Sequence, residues 1–96
     1  MRVRYTPRAR SDLQSILRYI DERSPLGARN VKRTIQKTIE LIGEFPEGGR
    51  RAGEQETRVF PAGRYPYLIY WSLENGEAWI VHTRHARRRP WKGAED

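Results

Sequence analysis

The longest regular pattern in the chain lies between Arg64 and Pro90 and predicts two long β-strands joined by a tight turn. The first strand carries apolar or aromatic side chains on both faces: Tyr65, Tyr67, Ile69 and Trp71 on one, and Pro66, Leu68, Tyr70 and Ser72 on the other. A strand that is apolar on both faces is typical of the interior of a sheet. We therefore expect this strand to be central, with the rest of the chain as its cover.

Asn75 and Gly76 separate the two strands. A type I′ turn needs positive φ at both central residues, and Asn-Gly satisfies this best, so the pair predicts a two-residue hairpin. Simple alternation then places the return-strand residues on two faces: Ala78, Ile80 and His82 on one, and Trp79, Val81 and Thr83 on the other. Polar and basic residues follow from Arg84 and His85, where we expect functional chemistry to begin.

Two amphipathic helices are predicted between residues 6 and 46. Thr6-Pro7 and Ser24-Pro25 each combine a side-chain cap with a proline at the first helical position. Apolar residues then recur at helical spacing: Ala9, Leu13, Ile16, Leu17 and Ile20 in the first helix, and Ala28, Val31, Ile35, Ile39 and Ile42 in the second. The first helix should end near Arg23 and the second at Phe45-Pro46. Arg10, Asp12 and Arg18 lie off the first stripe, and Leu41 lies off the second, where we expect it to be exposed.

The remaining segments complete a β-α-α-β-β-β order. Alternation around Val3 and Tyr5 predicts a short first strand, and Thr57–Phe60 predicts another before the Pro61–Gly63 turn. Residues 47–54 form a glycine-rich charged loop. A phosphate-binding loop would need a strand before it and a helix after it, and the sequence predicts neither here, so we do not expect one. The order predicts an α+β fold in which a two-helix hairpin packs on a mostly antiparallel sheet. We expect four helix isoleucines to pack against the central strand: Ile16, Ile20, Ile35 and Ile39. The pattern does not determine which face of the sheet they cover.

Composition narrows the function classes. Ninety-six residues are enough for one domain with one modest core, and we expect residues 1–96 to form a single domain with a basic C-terminal segment at 84–96. The chain has no cysteine, no signal-peptide pattern and no apolar run long enough for a membrane span, so we expect a soluble cytoplasmic protein.

The chain carries 19 Lys and Arg against 12 Asp and Glu, a net charge of +7. Five cations lie within residues 84–92, without an acid: Arg84, Arg87, Arg88, Arg89 and Lys92. This balance favours a nucleic acid, a ribosome or an acidic protein as partner.

Several motifs, in this order and spacing, resemble the ParE/RelE superfamily of toxins from type II toxin–antitoxin systems. They are the pattern A-x-x-D-L-x-x-I-x-x-Y-I from Ala9 to Ile20, Ser24-Pro25, the Ile35 to Pro46 spacing, Gly49-Arg50, Thr57-Arg58, Tyr67-Leu68-Ile69-Tyr70 and His85-Ala86-Arg87-Arg88. The resemblance spans residues 3–90 and is greatest to the ParE branch. It implies a toxin that inhibits DNA gyrase and is neutralised by a ParD-like antitoxin. The RelE branch shares the fold and cleaves messenger RNA on the ribosome, which is the alternative activity.

The RelE alternative has its own candidate residues. Metal-independent RNA cleavage needs an acid, a base and cations around the developing phosphorane. Arg58, Arg64 and Arg84 could supply the charge, with His85 as acid or base, and His82 lies nearby if it is not buried. The chain departs from RelE-like nucleases at two places. Tyr67 stands where those enzymes carry an arginine on the central strand, and no tyrosine follows Tyr70.

The ParE alternative needs only a complementary surface and no catalysis of its own. The candidate target-binding residues all belong to the basic C-terminal segment: Arg84, His85, Arg87, Arg88, Arg89 and Trp91. Arginine pairs well with carboxylates and phosphates, and an exposed tryptophan can anchor an interface, although Trp91 could equally fold back on the core. An acidic antitoxin should wrap the outer face of residues 10–42, with Tyr19 and Leu41 as apolar anchors. No metal or other cofactor is expected. A third possibility is a domain of this fold that has lost toxicity and serves only as an interaction module.

Overall fold

The computed structural model describes residues 1–53 and 56–87 and shows a strand, two helices and then four strands. The elements are β1 (Arg2–Tyr5), α1 (Pro7–Asp21), α2 (Pro25–Glu44), β2 (Arg50–Arg51), β3 (Thr57–Pro61), β4 (Tyr67–Glu74) and β5 (Glu77–His85). The predicted α+β fold is confirmed. The structure adds one strand, β2, within the segment that was predicted to be entirely loop.

The five strands form one sheet in the order β1-β5-β4-β3-β2. The β4 strand is therefore central, as predicted, with β5 and β3 as its antiparallel neighbours. The first strand lies at an edge and pairs with β5 in parallel, with Arg2 opposite Glu77 and Tyr5 opposite Ile80. Sequence reasoning placed the start of the central strand at Tyr65, but ladder pairing begins only at Tyr67, because Tyr65 and Pro66 belong to the preceding turn.

Both helices begin where the sequence predicted. The Thr6 hydroxyl accepts a hydrogen bond from the Ala9 amide at 3.1 Å, and the Ser24 hydroxyl accepts one from the Gly27 amide at 2.9 Å. In each helix the proline after the cap has no N–H that would need a partner. Within the described residues, neither helix combines the length and apolar character needed to cross a bilayer.

The helices cover the sheet face that carries Ile69 and Trp71. The buried cluster on this face also contains Ala78 and Ile80 from β5, Ala62, and residues from both helices: Ala9, Val31, Ile35, Ile39 and Ile42. Ile20 packs against this cluster and is partly buried. Ile16 was predicted to make the same contact, but it is only partly buried and is not a member of the described cluster; Leu13, Leu17 and Ile20 are the α1 residues that pack against it.

The β4–β5 hairpin has the predicted turn and an irregularity that alternation does not reveal. Asn75 and Gly76 have φ of 51° and 73°, as a type I′ turn requires. Trp71 pairs with Ile80 but Tyr70 pairs with His82, so Val81 is an extra residue in β5. Paired residues share a sheet face, and Ile80 and His82 therefore lie on opposite faces. The prediction that they share one was wrong because a β-bulge resets the alternation.

The segment after α2 is fixed to the core. The Trp71 indole N–H donates to the Pro46 carbonyl at 2.9 Å. Gly49 has φ of 73°, and a Cβ there would lie only 2.7 Å from Cη2 of Trp71. Arg50 and Arg51 then pair with Val59 and Arg58 as strand β2. A two-residue strand is too short to show alternation, which explains why the sequence predicted only a loop.

Candidate functional site

The end of β5 holds Arg84 inside the protein. Arg84 is buried; its Nε donates to the Tyr70 hydroxyl at 3.0 Å, and Nη1 donates to the His85 carbonyl at 2.9 Å. Its guanidinium carbon also lies 5.7 Å from the centre of the Tyr70 ring. The sequence proposed Arg84 for a target-binding surface. In the structure this side chain is buried and hydrogen-bonds Tyr70 of the central strand.

His85 and Arg87 form a short turn directly after β5. The Nδ1 atom of His85 accepts a hydrogen bond from the Arg87 amide at 3.1 Å, and its ring meets the Tyr67 ring edge-on, 5.5 Å between centres. The Ala86 amide donates to the Pro66 carbonyl at 2.8 Å. A neutral imidazole whose Nδ1 accepts carries its proton on Nε2. These hydrogen bonds fix the described part of the exit, which includes Arg87 with its exposed side chain.

A second polar cluster joins α1 to β5 just before the end of the strand. The sequence did not predict this cluster. Oδ2 of Asp12 lies 2.7 Å from Nδ1 of His82 and accepts the Thr83 amide at 3.1 Å. Arg8 lies one helical turn earlier, with its Nε 3.9 Å from the same oxygen. β1 pairs with β5 only as far as Ile80. Beyond that point the Asp12 carboxylate, and not a strand, accepts the backbone amide of Thr83. Asp12 was expected only to lie off the apolar stripe.

His82 is a buried, hydrogen-bonded imidazole. Burial lowers its pKa below the ordinary value, and the nearby charges of Arg8 and Arg84 act in the same direction. The hydrogen bond and the negative charge of Asp12 oppose this shift without reversing it. The ring is therefore neutral near neutral pH, and since a carboxylate only accepts, it must donate its Nδ1–H to Asp12. The Tyr70 ring stacks on it, with centres 5.7 Å apart and planes 29° apart.

The other two arginines proposed for RNA cleavage lie elsewhere on the sheet. Arg58 is half-buried on β3 opposite Trp71, with Nη1 3.5 Å from the Gly48 carbonyl. Arg64 is exposed in the turn before β4 and lines a cleft of about 500 Å³ against α2. Within residues 1–53 and 56–87, no hydrogen bond, ion pair or ring contact joins either arginine to His85. Of the proposed set, only Arg84 and His85 are brought together.

The helical hairpin exposes apolar side chains, as predicted. Tyr19 is 57% exposed, with the Arg23 guanidinium 3.6 Å from its ring centre, and Leu41 is 44% exposed. Leu26 and Phe45 are also exposed and were not identified from the sequence. Three candidate target-binding residues lie outside the described residues: Arg88, Arg89 and Trp91.

Comparison with known proteins gives one consistent result. Residues 3–90 match the family described as the ParE toxin of the type II toxin-antitoxin system, parDE. Toxin RelE2 of Caulobacter vibrioides is 36% identical over 86 residues, which cover 88% of this chain and 93% of that protein. The putative toxin Y4kP of Sinorhizobium fredii is 28% identical over 88 residues, covering 92% of this chain and 91% of that protein.

A solved structure described as the chromosomal ParDE TA system from P. aeruginosa shares the fold, with a TM-score of 0.80 at 19% identity, covering 91% of this chain and 97% of that chain. The family match extends over nearly all of the sequence and over every element from β1 to β5. The chain therefore belongs to the ParE toxin family of type II toxin–antitoxin systems.

Proposed function

We propose that this toxin acts in the cytoplasm by binding DNA gyrase through its basic C-terminal segment, and that an acidic ParD-like antitoxin neutralises it by covering the helical hairpin. The net charge of +7 and the four cations that follow the buried Arg84 support an acidic or DNA-bound target surface: Arg87, Arg88, Arg89 and Lys92. Stalling a large enzyme on its DNA requires a complementary surface and no proton transfer by the toxin.

The observation that carries this proposal is that the fold engages both histidines of the chain. His82 is buried and donates to Asp12, and His85 uses Nδ1 to accept the Arg87 amide. General acid–base cleavage of RNA needs groups that reach the 2′-hydroxyl and the leaving oxygen. Within the described part of the exit, Arg87 is exposed to a partner, and Nε2 is the remaining imidazole nitrogen of His85. Such a surface suits binding better than proton transfer.

A second candidate function is ribosome-dependent cleavage of messenger RNA. The observation that favours it is the name of the relative with 36% identity, RelE2. In this alternative, Nε2 of His85 would exchange the proton and Arg84 would hold the imidazole in place, with Arg58 and Arg64 contacting more distant phosphates.

The antitoxin proposal rests on the exposed apolar residues of the hairpin. Four large side chains face solvent there: Tyr19, Leu26, Leu41 and Phe45. The P. aeruginosa structure is described as a ParDE system, and this supports a ParD-like partner for the present chain. A disordered acidic segment that folds on binding could cover this surface and neutralise its cations. Hydrogen exchange tests the assignment: the amides of α1 and α2 should be protected in the complex, and lack of protection in both helices would contradict it.

The target proposal is tested by two assays run on the same protein. Purified toxin should inhibit supercoiling by gyrase and accumulate cleaved DNA, and added antitoxin should restore supercoiling. Messenger RNA from cells that express the toxin should show no cleavage at discrete codons. Cleavage at discrete codons together with normal supercoiling would establish the RelE activity, and neither effect would indicate an interaction module without toxicity.

A further inference from the structure

A continuous series of side-chain contacts runs from α1 to the end of the described chain. The carboxylate of Asp12 accepts from His82, the His82 ring stacks on Tyr70, and the Tyr70 hydroxyl accepts from Arg84. Arg84 then donates to the His85 carbonyl, and the His85 ring accepts the Arg87 amide. The series therefore links the first helix, the central strand and the last strand to the point where the basic segment begins.

These contacts occur where the backbone support of β5 changes. β1 pairs with β5 only as far as Ile80, and the bulge at Val81 follows immediately. Beyond the bulge, Asp12 binds both the His82 ring and the Thr83 amide. A strand end with one neighbouring strand frays more readily than one between two strands, and a partly buried carboxylate that accepts two hydrogen bonds opposes this fraying.

We propose that Asp12, His82, Tyr70 and Arg84 are positioning residues that brace the end of β5 and set the direction in which the basic C-terminal segment leaves the sheet. This inference rests on the proposed function for its biological consequence, since the segment is the proposed target-binding surface. The bracing itself is a property of the fold. His82 contributes a hydrogen-bond donor and a stacking surface, and takes no part in proton transfer to a substrate.

The chemistry of the site explains why a histidine suits position 82. Asp12 needs a donor, and the Tyr70 ring offers a flat surface for stacking. A neutral imidazole supplies both, whereas phenylalanine would only stack and asparagine would only donate. Among the described residues, the charged and titratable groups that face the ring are Asp12 and Arg8 from α1, Tyr70 from β4 and Arg84 from β5. The two guanidinium groups disfavour a charged ring, and the Asp12 carboxylate favours the tautomer with the proton on Nδ1.

The bracing is tested by amide hydrogen exchange, resolved by NMR, in Asp12→Ala and Asp12→Asn. The reporters are the Ala86 amide, which donates to Pro66, and the Thr83 amide, which donates to Asp12. The Gly27 amide, which donates to the Ser24 hydroxyl at the start of α2, reports local opening of a different element. Asp12→Ala should accelerate exchange at Thr83 and Ala86 by about tenfold or more and leave Gly27 unchanged, because a charge-assisted hydrogen bond is lost locally. Asp12→Asn retains an acceptor oxygen and should have a smaller effect. Glu47→Ala removes an exposed acid from the loop after α2 and serves as the matched control.

Two further measurements complete the test. Long-range ¹H–¹⁵N correlation should show His82 as the neutral Nδ1–H tautomer in the wild type. Tyr70→Phe keeps the stacking ring but removes the acceptor of the Arg84 Nε–H, and should accelerate Ala86 exchange without changing the His82 tautomer. Ala86 exchange equal to that of Glu47→Ala would overturn the proposal, as would a His82 proton on Nε2 or an equal loss of protection at Gly27. Gyrase inhibition by the same folded variants should fall while antitoxin binding is retained. If the wild type leaves gyrase active, the proposed target is wrong, and the exchange and tautomer data still decide the bracing.

Discussion

Two aliphatic side chains on α2 allow the contribution of the core to stability to be measured separately from antitoxin binding. Ile35 is 3% exposed and belongs to the cluster between α2 and the sheet, whereas Leu41 is 44% exposed on the outer side of the same helix. Truncation of each to alanine removes a similar volume and leaves helix propensity high. We expect Ile35→Ala to reduce stability and Leu41→Ala to reduce antitoxin binding.

The magnitude follows from burial. Ile35→Ala removes about three methyl or methylene groups from the core, each contributing about 0.8 kcal/mol by transfer alone. The cavity that remains in this buried cluster adds to this, so the total loss should be about 2–5 kcal/mol. That is a large fraction of the roughly 5–15 kcal/mol by which a domain is stable. Leu41→Ala removes mostly solvated surface and should change stability by less than about 0.5 kcal/mol.

Urea denaturation followed by tryptophan fluorescence measures the first effect, because Trp71 lies in the same core. With a slope of about 1–3 kcal/mol per molar urea, Ile35→Ala should lower the midpoint by at least about 0.7 M. Calorimetric titration with a ParD-like antitoxin measures the second effect, and Leu41→Ala should weaken binding about fivefold or more if it is an interface anchor.

A different result would contradict the prediction for each variant. A change below about 0.5 kcal/mol for Ile35→Ala would contradict the packing of α2 on the sheet, since such a change is typical of surface substitutions. Unchanged antitoxin affinity in Leu41→Ala would remove this side chain from the interface while leaving the fold intact. Ile16→Ala should cost less than Ile35→Ala, since Ile16 is only partly buried.

Three other predictions concern charge, pH and backbone geometry. A variant that combines Arg87→Ala, Arg88→Ala and Arg89→Ala should weaken growth arrest more than His85→Gln does. Growth arrest is measured in cells that express each folded variant. Stability should fall as pH drops below the unfolded-state histidine pKa of about 6.5, because burial lowers the pKa of His82 in the folded state and the unfolded chain binds the proton first. His82→Phe should flatten this part of a pH series of urea midpoints. Gly49→Ala should cost at least about 1–2 kcal/mol by thermal denaturation, since it combines a φ of 73° with a 2.7 Å approach to Trp71, and a change near zero would contradict this geometry.

The elements that local chemistry determines were predictable from the sequence. Thr6-Pro7 and Ser24-Pro25 fix the helix starts through contacts within three residues, and Asn75-Gly76 fixes the hairpin turn. The apolar stripe of α2 also predicted its buried residues, because a long helix between a sheet and solvent shows one clear period. These features depend on neighbours in the sequence, and pattern reasoning identifies them well.

The features that sequence reasoning missed depend on contacts between distant residues. Val81 fits an alternating strand as well as its neighbours do, and only its pairing with β4 reveals the bulge. Asp12 and His82 are separated by most of the chain, and no spacing rule connects a helical carboxylate with a strand histidine. The one available signal was a histidine within an otherwise apolar strand, which requires a polar partner if it is buried. Arg84 was misplaced on the surface for a similar reason, since composition does not show that Tyr70 offers it an acceptor.

The parallel pairing of β1 with β5 has a consequence for synthesis of the toxin. Among the described strands, β1 pairs only with β5, with Arg2 opposite Glu77 and Tyr5 opposite Ile80. Pairing between such distant segments forms late, because the long intervening segment must first be ordered. During translation the helical hairpin can form before β5 has been synthesised and has left the ribosome. The pairing of β1 and the contacts of Asp12 with β5 both require β5 and are therefore expected late. A nascent chain would thus present the hairpin, which is the proposed antitoxin surface, before the sheet that carries the proposed target-binding segment is complete.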